Sequence, residues 1–179
     1  MSKVAVVYWS GTGNTEAMAM AVAEGAKGKG AEVSVITAAE FSPEQVGEYS
    51  AIAFGCPSMG SEQLEESEFE PMFTACEGRL SGKNIALFGS YGWGDGEWMR
   101  SWESRCNDDG ANLACESVIC NEAPDDDALA ACRELGASLA CQKHRRRQED
   151  LVSCLLSVSP ASIGETNFEL RETGREKSC

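Results

Sequence analysis

The chain of 179 residues lacks any apolar run approaching the roughly 18 residues that a membrane-spanning helix needs. Its start, Met1-Ser2-Lys3, leads into a short apolar stretch without a small-residue cleavage site, so we expect no signal peptide and a cytoplasmic protein. Basic residues are few: 15 Lys and Arg face 29 Asp and Glu, a net charge of −14. This balance argues against nucleic acid and membrane partners, and favours partners with a basic docking surface.

The sequence also lacks the ligand spacing of a metal site. It has nine cysteines but no C-x-x-C pair, and its one histidine, His144, has no ligand set around it. Zinc and iron–sulfur sites need more closely spaced ligands, so we predict no metal. The odd number of cysteines and their wide spacing favour buried free thiols in a reducing compartment over a disulfide framework.

Short apolar segments alternate with helical segments along the first 141 residues. Strands are predicted at 4–9, 32–37, 50–55, 83–89 and 111–120, and helices at about 14–27, 69–78, 97–106 and 125–142. The alternation is typical of an α/β fold in which helices cover both faces of a parallel sheet. Right-handed crossovers then favour a doubly wound five-stranded sheet, in which ligands bind at the carboxyl ends of the strands.

The charge balance changes near residue 142. Residues 1–141 hold 8 basic against 23 acidic residues, a charge of −15, whereas residues 142–179 hold 7 against 6, a charge of +1. We therefore expect one domain over 1–141 and a poorly ordered C-terminal extension over 142–179. The alternative is a basic, amphipathic segment beginning at Lys143 that contacts the acidic domain or a partner.

The segment Ser10-Gly11-Thr12-Gly13-Asn14-Thr15 lies between the first predicted strand and the first helix. Its glycines let the backbone approach an anion, and the first N–H groups of the helix favour negative charge there. The loop contains no Lys or Arg and does not match G-x-G-x-x-G, which argues against a nucleoside-triphosphate P-loop and a dinucleotide loop. The segment predicts a phosphate site built from neutral donors.

Two more glycine-bearing loops follow the third and fourth strands. Residues 55–62 include Met59, and residues 89–96 include Trp93 with a glycine on each side. Flanking glycines expose such a ring, and an exposed aromatic face opposite a flexible methionine forms a slot for a flat ring system. The alternatives are that Trp93 is an ordinary packed aromatic and that Met59 fills the core. Together the three loops predict a flat ligand that carries a phosphate.

Three stretches resemble short-chain, clostridial-type flavodoxins: Tyr8 to Glu16 (YWSGTGNTE), Leu64 to Pro71 (LEESEFEP) and Leu87 to Gly96 (LFGSYGWGDG), followed by Trp98-Met99. The resemblance covers residues 1 to about 141 and stops at the extension. It implies a flavodoxin-like sheet with strand order 2-1-3-4-5, bound FMN, and no catalytic residues of the protein's own.

The resemblance also implies a cofactor site with residues from all three loops. Met59 and Trp93 would sandwich the isoalloxazine, Glu62 would meet its N3, and the Gly60–Ser61 peptide would turn a carbonyl toward N5. Pro57 stands where some relatives have a serine that contacts the phosphate, so a hydroxyl contact from this position is not expected. The implied site residues are Ser10, Gly11, Thr12, Gly13, Asn14, Thr15, Pro57, Ser58, Met59, Gly60, Ser61, Glu62, Ser90, Tyr91, Gly92, Trp93 and Gly94.

The function implied is that of a low-potential one-electron carrier, a monomer working through the semiquinone/hydroquinone couple. Its partners would be reductases or oxidoreductases with basic surfaces, and the acidic stretch 62–70 is either their docking surface or a solvated face. One alternative is an FMN-dependent NAD(P)H quinone or azo reductase on the same fold, for which residues 1–141 show no insertion that could form a second substrate wall. Another is a binding module that has lost its flavin, against which the three loops argue.

Overall fold

The computed structural model describes residues 1–156, and of residues 142–156 it describes the backbone alone. No helix in this described part is long and apolar enough to cross a membrane. Two short 3₁₀ turns, Ala38–Glu40 and Pro43–Glu48, lie between the second and third strands. In chain order the strands and helices are β1 (Lys3–Tyr8), α1 (Asn14–Gly28), β2 (Glu32–Thr37), β3 (Ala51–Gly55), α2 (Phe69–Glu77), β4 (Asn84–Tyr91), α3 (Glu97–Asp108), β5 (Asn112–Leu113), β6 (Val118–Asn121) and α4 (Asp126–Leu156).

The sheet is parallel and has the order β2-β1-β3-β4-β5, which confirms the predicted topology. The prediction of one continuous fifth strand over 111–120 is wrong, because β5 and β6 pair separately with β4. Between these two short strands, the Ser117 hydroxyl donates a hydrogen bond to the Glu103 carboxylate of α3. This contact joins the segment between the two strands to α3.

Side chains of β1 alternate between two cores, one on each face of the sheet. Val4 and Val6 pack with α1 and α4, whereas Ala5 and Val7 pack with α2 and α3. All four are fully buried. A strand buried on both faces reads as a continuous apolar run, which is why this segment lacks the polar alternation of an edge strand. The predicted layer of helices on each face is confirmed.

Helices α1 and α4 approach so closely that two positions accept only glycine. A Cβ on Gly25 would lie 1.9 Å from the carbonyl oxygen of Arg133, and one on Gly136 would lie 1.9 Å from that of Val22. The glycines cost helix propensity but let the two backbones meet. The Arg133 guanidinium also pairs with Glu24 at 2.7 Å.

Helix α4 ends at Leu156, beyond the predicted end near residue 142. Residues 142–156, the first part of the segment whose charge balance differs, therefore continue α4 as helical backbone. The side chains of Lys143 and its basic neighbours, and all of residues 157–179, lie outside the described residues. The domain boundary at 141 and the order of the extension stay predictions.

The side chains of seven of the nine cysteines are described, and all seven are free thiols. Cys56, Cys76, Cys106 and Cys132 are buried, as expected, while Cys141 is exposed. Burial raises the pKa of the Cys106 and Cys132 thiols to about 12, so they stay protonated and unreactive at neutral pH. Cys154 and Cys179 lie outside the described side chains.

A buried carboxylate begins α2. The Glu65 side chain accepts hydrogen bonds from the backbone N–H groups of Ser67 and Glu68, each at 2.8 Å, of Phe69 at 2.9 Å, and from the Ser67 hydroxyl. Glu65 is only 6% exposed, and burial alone would raise its pKa. The hydrogen bonds outweigh burial and lower the pKa to about 2. The charged form of Glu65 is therefore the form that stabilises α2.

We expect Glu65→Gln to lower the free energy of unfolding at pH 7 by about 1.5–3 kcal/mol, the usual contribution of hydrogen bonds to a charged group. Because the folded pKa lies below the unfolded value of about 4.3, this stabilisation is complete above that value and is lost as pH falls toward 2. Urea unfolding from pH 7 to pH 2.5 measures both effects.

The exposed neighbour Glu66, changed to Gln, is the matched control and should unfold like the wild type at pH 7. A Glu65→Gln variant whose deficit stays constant from pH 7 to pH 2.5 would contradict the proposed role of the charge.

Candidate functional site

Three strands end at the same edge of the sheet. Tyr8 of β1 pairs with Gly55 of β3, and Gly55 pairs with Phe88 of β4, so the loops that follow emerge side by side. Strand β4 continues to Tyr91, two residues past the predicted end at Gly89, because its last residues pair with β6. Two predicted loop residues, Ser90 and Tyr91, are therefore part of a strand.

The first loop places a helix start at this edge. Gly13 has a φ of +90° and is the N-cap of α1. Its N–H donates to the Ser10 hydroxyl at 3.0 Å, and its carbonyl accepts from the Ala17 N–H at 3.0 Å. The N–H groups of the first helical turn, from Asn14 onward, have no acceptor within the helix, and the exposed Thr12 adds a hydroxyl. This is the geometry of an anion site with neutral donors.

Ser90 connects the first and second loops to β4. Its hydroxyl lies 3.2 Å from the Thr15 hydroxyl, and both residues are almost fully buried, at 5% and 1% exposure. Its carbonyl accepts the Ser58 N–H at 2.9 Å. Thr15 and Ser90, which we predicted as ligand contacts, thus make their hydrogen bond with each other in this structure.

The second loop forms a tight turn. Met59 and Gln63 exchange two backbone hydrogen bonds, of 2.8 and 2.9 Å, and Gly60 within the turn has a φ of +52°. The Met59 side chain is 38% exposed, so it does not simply fill the core. Pro57 and Ser58, just before it, are half-buried, and Ser61 is exposed.

The third loop exposes an aromatic ring. Trp93 is 61% exposed, whereas Trp98 and Trp102, a few residues later in α3, are each 2% exposed. The expectation that flanking glycines would expose this ring is confirmed, and the alternative of a packed core aromatic is wrong. Its neighbours Gly92 and Gly94 are exposed as well. An exposed tryptophan and an exposed methionine therefore stand on adjacent loops.

Glu62 joins the second loop to the third, a link that the sequence analysis missed. Its Oε1 accepts the backbone N–H groups of Asp95, Gly96 and Glu97 at 3.2, 3.2 and 3.1 Å. The sequence signal for this link was the start of α3. Its N-cap residue is Gly96, which has no side chain that could cap the helix, so the cap has to come from elsewhere in the chain. The carboxylates of Glu62, Asp95 and Glu97 lie within 4.8 Å of one another.

All the predicted site residues thus lie in or beside the three loops, but the contacts among them are uneven. Hydrogen bonds join Thr15 and Ser58 to Ser90, and Glu62 to the start of α3. Within the described part of the chain, no hydrogen bond joins residues 10–14 to the second or third loop. Gly11 packs instead beside Trp9, whose ring would lie 3.0 Å from a Cβ at that position.

An open groove of about 610 Å³ lies beside the second loop, on the side of α3. Its walls carry four glutamates, and its lining includes two of the predicted site residues, Ser61 and Glu62. The lining residues are Ser61, Glu62, Gln63, Leu64, Glu66, Glu70, Glu97, Trp98, Ser101, Trp102 and Arg105. The lining does not include Met59 or Trp93, the two side chains predicted to hold the flat ring.

Comparison with known proteins identifies relatives over this same part of the chain. The family model described as Flavodoxin matches residues 6–136. A flavodoxin from Megasphaera elsdenii is 46% identical over 137 residues, covering 76% of this chain and 98% of the relative. A flavodoxin from Clostridium beijerinckii is 44% identical over 135 residues, covering 75% of this chain and 97% of the relative.

The fold comparison agrees with the sequence comparison. The solution structure of the two-electron reduced Megasphaera elsdenii flavodoxin superposes with a TM-score of 0.71 at 47% identity. It covers 76% of this chain and 98% of that structure. The resemblance that the three sequence stretches indicated is therefore confirmed.

Proposed function

Because the chain belongs to the flavodoxin family, it binds FMN and transfers electrons, and we propose that it works as a low-potential one-electron carrier. FMN supplies the redox chemistry, since its ring system can accept and release electrons singly. The protein binds the cofactor and sets its potential. The observation that carries the proposal is the exposure of Trp93 at the sheet edge where α1 begins.

Residues 10–15 would hold the phosphate of FMN. The helix start at Asn14, the left-handed backbone of Gly13 and the exposed Thr12 hydroxyl fit a phosphate group. The loop contains no Lys or Arg, so its hydrogen bonds would leave the charge of the phosphate uncompensated. That charge then adds to the negative field around the site.

Met59 and Trp93 would hold the ring on its two faces, with the backbone of residues 90–94 beside it. The 38% and 61% exposures of these two side chains provide apolar surface that a flat ring would cover. Such covering also excludes water from the ring. Glu62 would meet N3, and the Gly60–Ser61 carbonyl would accept a hydrogen bond from a proton held at N5, with Gly60 providing the backbone freedom for that turn.

The acidic residues would make the more negative states of the cofactor harder to reach. Residues 1–141 carry a charge of −15, and three carboxylates cluster at Glu62, Asp95 and Glu97. One carboxylate about 12 Å from an added negative charge costs roughly 0.3–1.4 kcal/mol, for effective dielectric constants of about 80 to 20. Since about 1.4 kcal/mol corresponds to about 59 mV for one electron, several carboxylates lower the second potential by the order of 100 mV.

Within residues 1–141, no added helix or strand forms a second wall for a substrate, as the reductase alternative would need. The two flavodoxin relatives align with this chain over nearly their entire length. Beyond the aligned part, the described structure contains only the continuation of α4 to Leu156. As far as Ala140, α4 packs with α1 on the face of the sheet opposite α2 and α3. Electron transfer between proteins is the function that these observations support.

The one-electron proposal predicts two separate one-electron steps when the FMN-loaded protein is titrated anaerobically with a reductant. The potentials should be separated by the order of 100 mV or more, because the acidic surroundings oppose the second electron more than the first. Absorbance measured against potential determines both steps. Free FMN in the same buffer is the control, and a single two-electron wave for the bound cofactor would contradict the proposal.

Replacing Trp93 by alanine is predicted to weaken FMN binding about 2- to 13-fold through stacking alone, since a stacked aromatic pair contributes about 0.5–1.5 kcal/mol beyond its buried area. Titration of the apoprotein with FMN, followed by flavin fluorescence, measures the change. Met20, an apolar residue of α1 that is 48% exposed, provides the matched control as Met20→Ala. Equal affinity in wild type and Trp93→Ala would place the tryptophan outside the ring slot.

The acidic groove beside the second loop is the surface proposed for basic redox partners. It contains Glu62, Glu66, Glu70 and Glu97, and Arg105 in its wall already pairs with Glu70 at 2.7 Å. The remaining carboxylates can therefore attract a positively charged docking face.

Docking through this surface should weaken as salt is added, because the Debye length falls from about 30 Å at 0.01 M to about 8 Å at 0.15 M. The measurement is the rate of electron transfer from the reduced protein to a basic c-type cytochrome, with a neutral small-molecule acceptor as the control. A cytochrome rate that does not depend on ionic strength would refute electrostatic docking.

A further inference from the structure

Glu62 occupies a backbone conformation that residues with a Cβ rarely adopt. Its φ of +52° lies in the left-handed region. The conformation is imposed by the turn, which two backbone hydrogen bonds between Met59 and Gln63 close. A disfavoured conformation persists where the surrounding structure compensates for it, and here the contacts of the side chain provide the compensation.

The Glu62 carboxylate caps a helix that belongs to another loop. Helix α3 begins at Glu97, and its N-cap residue, Gly96, has no side chain to accept the first N–H groups. Oε1 of Glu62 accepts three of these groups, from residues 95–97, at 3.1–3.2 Å. A negative charge at this position also interacts favourably with the helix dipole.

Gly94 makes this cap possible. A Cβ on Gly94 would lie 2.3 Å from Oε1 of Glu62, so a larger residue there would require the carboxylate to move from its present place beside α3. Gly94 follows Trp93 directly, and Met59 lies three residues before Glu62. The cap therefore fixes the distance between the two loop segments that carry the exposed apolar side chains.

The cap forms despite local charge repulsion. The carboxylates of Glu62, Asp95 and Glu97 lie within 4.8 Å of one another, and the three N–H groups and the helix dipole offset this repulsion. Arg100 also neutralises part of the cluster, since its guanidinium lies 2.7 Å from the Asp95 carboxylate.

We propose that Glu62 is a positioning residue that links the loops of Met59 and Trp93 through its cap on α3 before FMN binds. The inference rests on the proposed function, because it gives the cap the role of shaping the ring slot. Within residues 1–141, no hydrogen bond reaches the second oxygen of Glu62, Oε2, so one carboxylate serves α3 through Oε1 and leaves Oε2 for the ligand.

The decisive measurement is amide hydrogen exchange in the flavin-free, full-length protein. We expect Glu62→Ala to speed exchange at the amides of Asp95, Gly96 and Glu97 by about tenfold or more, because a lost charge-assisted hydrogen bond changes such equilibria by at least that factor. FMN titration of the same variant should show an affinity lower by about tenfold. Glu62→Gln keeps one neutral acceptor oxygen. Its exchange rate and its FMN affinity should therefore lie between those of Glu62→Ala and the wild type.

Two further variants make the test specific. Glu122→Ala is the matched control, since Glu122 also has a positive φ, of +56°, and lies in the loop after β6 without capping α3. It should leave exchange at residues 95–97 unchanged. Gly94→Ala should also speed exchange while Glu62 is intact, because the added methyl group displaces the carboxylate and the φ of +89° strains any residue with a Cβ.

The outcomes separate this proposal from the proposed function. Unchanged exchange at residues 95–97 in Glu62→Ala overturns the positioning role, even if FMN affinity falls, since Glu62 would then act through the ligand alone. If Glu62→Ala does not fold, Glu62→Gln decides the question by the same exchange measurement. A wild-type protein that binds no FMN would refute the function, while the exchange comparison would still show whether Glu62 caps α3.

Discussion

The register of β1, β3 and β4 is the constraint on which the site depends. Tyr8 pairs with Gly55, and Gly55 pairs with Phe88. Three loops that are far apart in the chain therefore follow neighbouring strands at one edge of the sheet. A shift by one residue would exchange the two faces of a strand and bury the wrong side chains. The two separate cores, one per face, exclude such a shift, so the packing of the sheet fixes where the loops begin.

Most of the architecture could be predicted because it depends on local patterns. Buried parallel strands are short apolar runs, and the alternation with helices leaves few possible topologies. The exceptions depend on contacts between distant residues. The segment that divides the fifth strand is bonded to α3 through Ser117 and Glu103, and the extension of β4 to Tyr91 depends on pairing with β6. Neither has a signal in the residues concerned.

The sequence predicts which residues lie in the three loops of the candidate site better than it predicts the contacts among them. The exposure of Trp93 follows from its flanking glycines, and the helix start at Asn14 follows from the glycine loop. The hydrogen bond between Thr15 and Ser90, two residues 75 positions apart, needs the folded sheet to be seen. The same holds for Glu62, which resemblance assigns to the ligand and which also caps α3 in the structure.

Two glutamates show how an acidic protein can use charge to build its own fold. Glu65 is buried at the start of α2 and Glu62 lies at the start of α3, and each meets several backbone N–H groups. Those N–H groups carry partial positive charge, which offsets repulsion that the net charge of the chain would otherwise impose. The two glutamates lie three residues apart, so the chain just after the second loop is tied to α3 through Glu62 and to the start of α2 through Glu65. Replacing Glu62 or Glu65 by an uncharged residue would weaken the negative electrostatic field around the site. It would also remove the charged cap from α3 or α2, respectively. Stability and electrostatics are therefore coupled at this edge of the sheet.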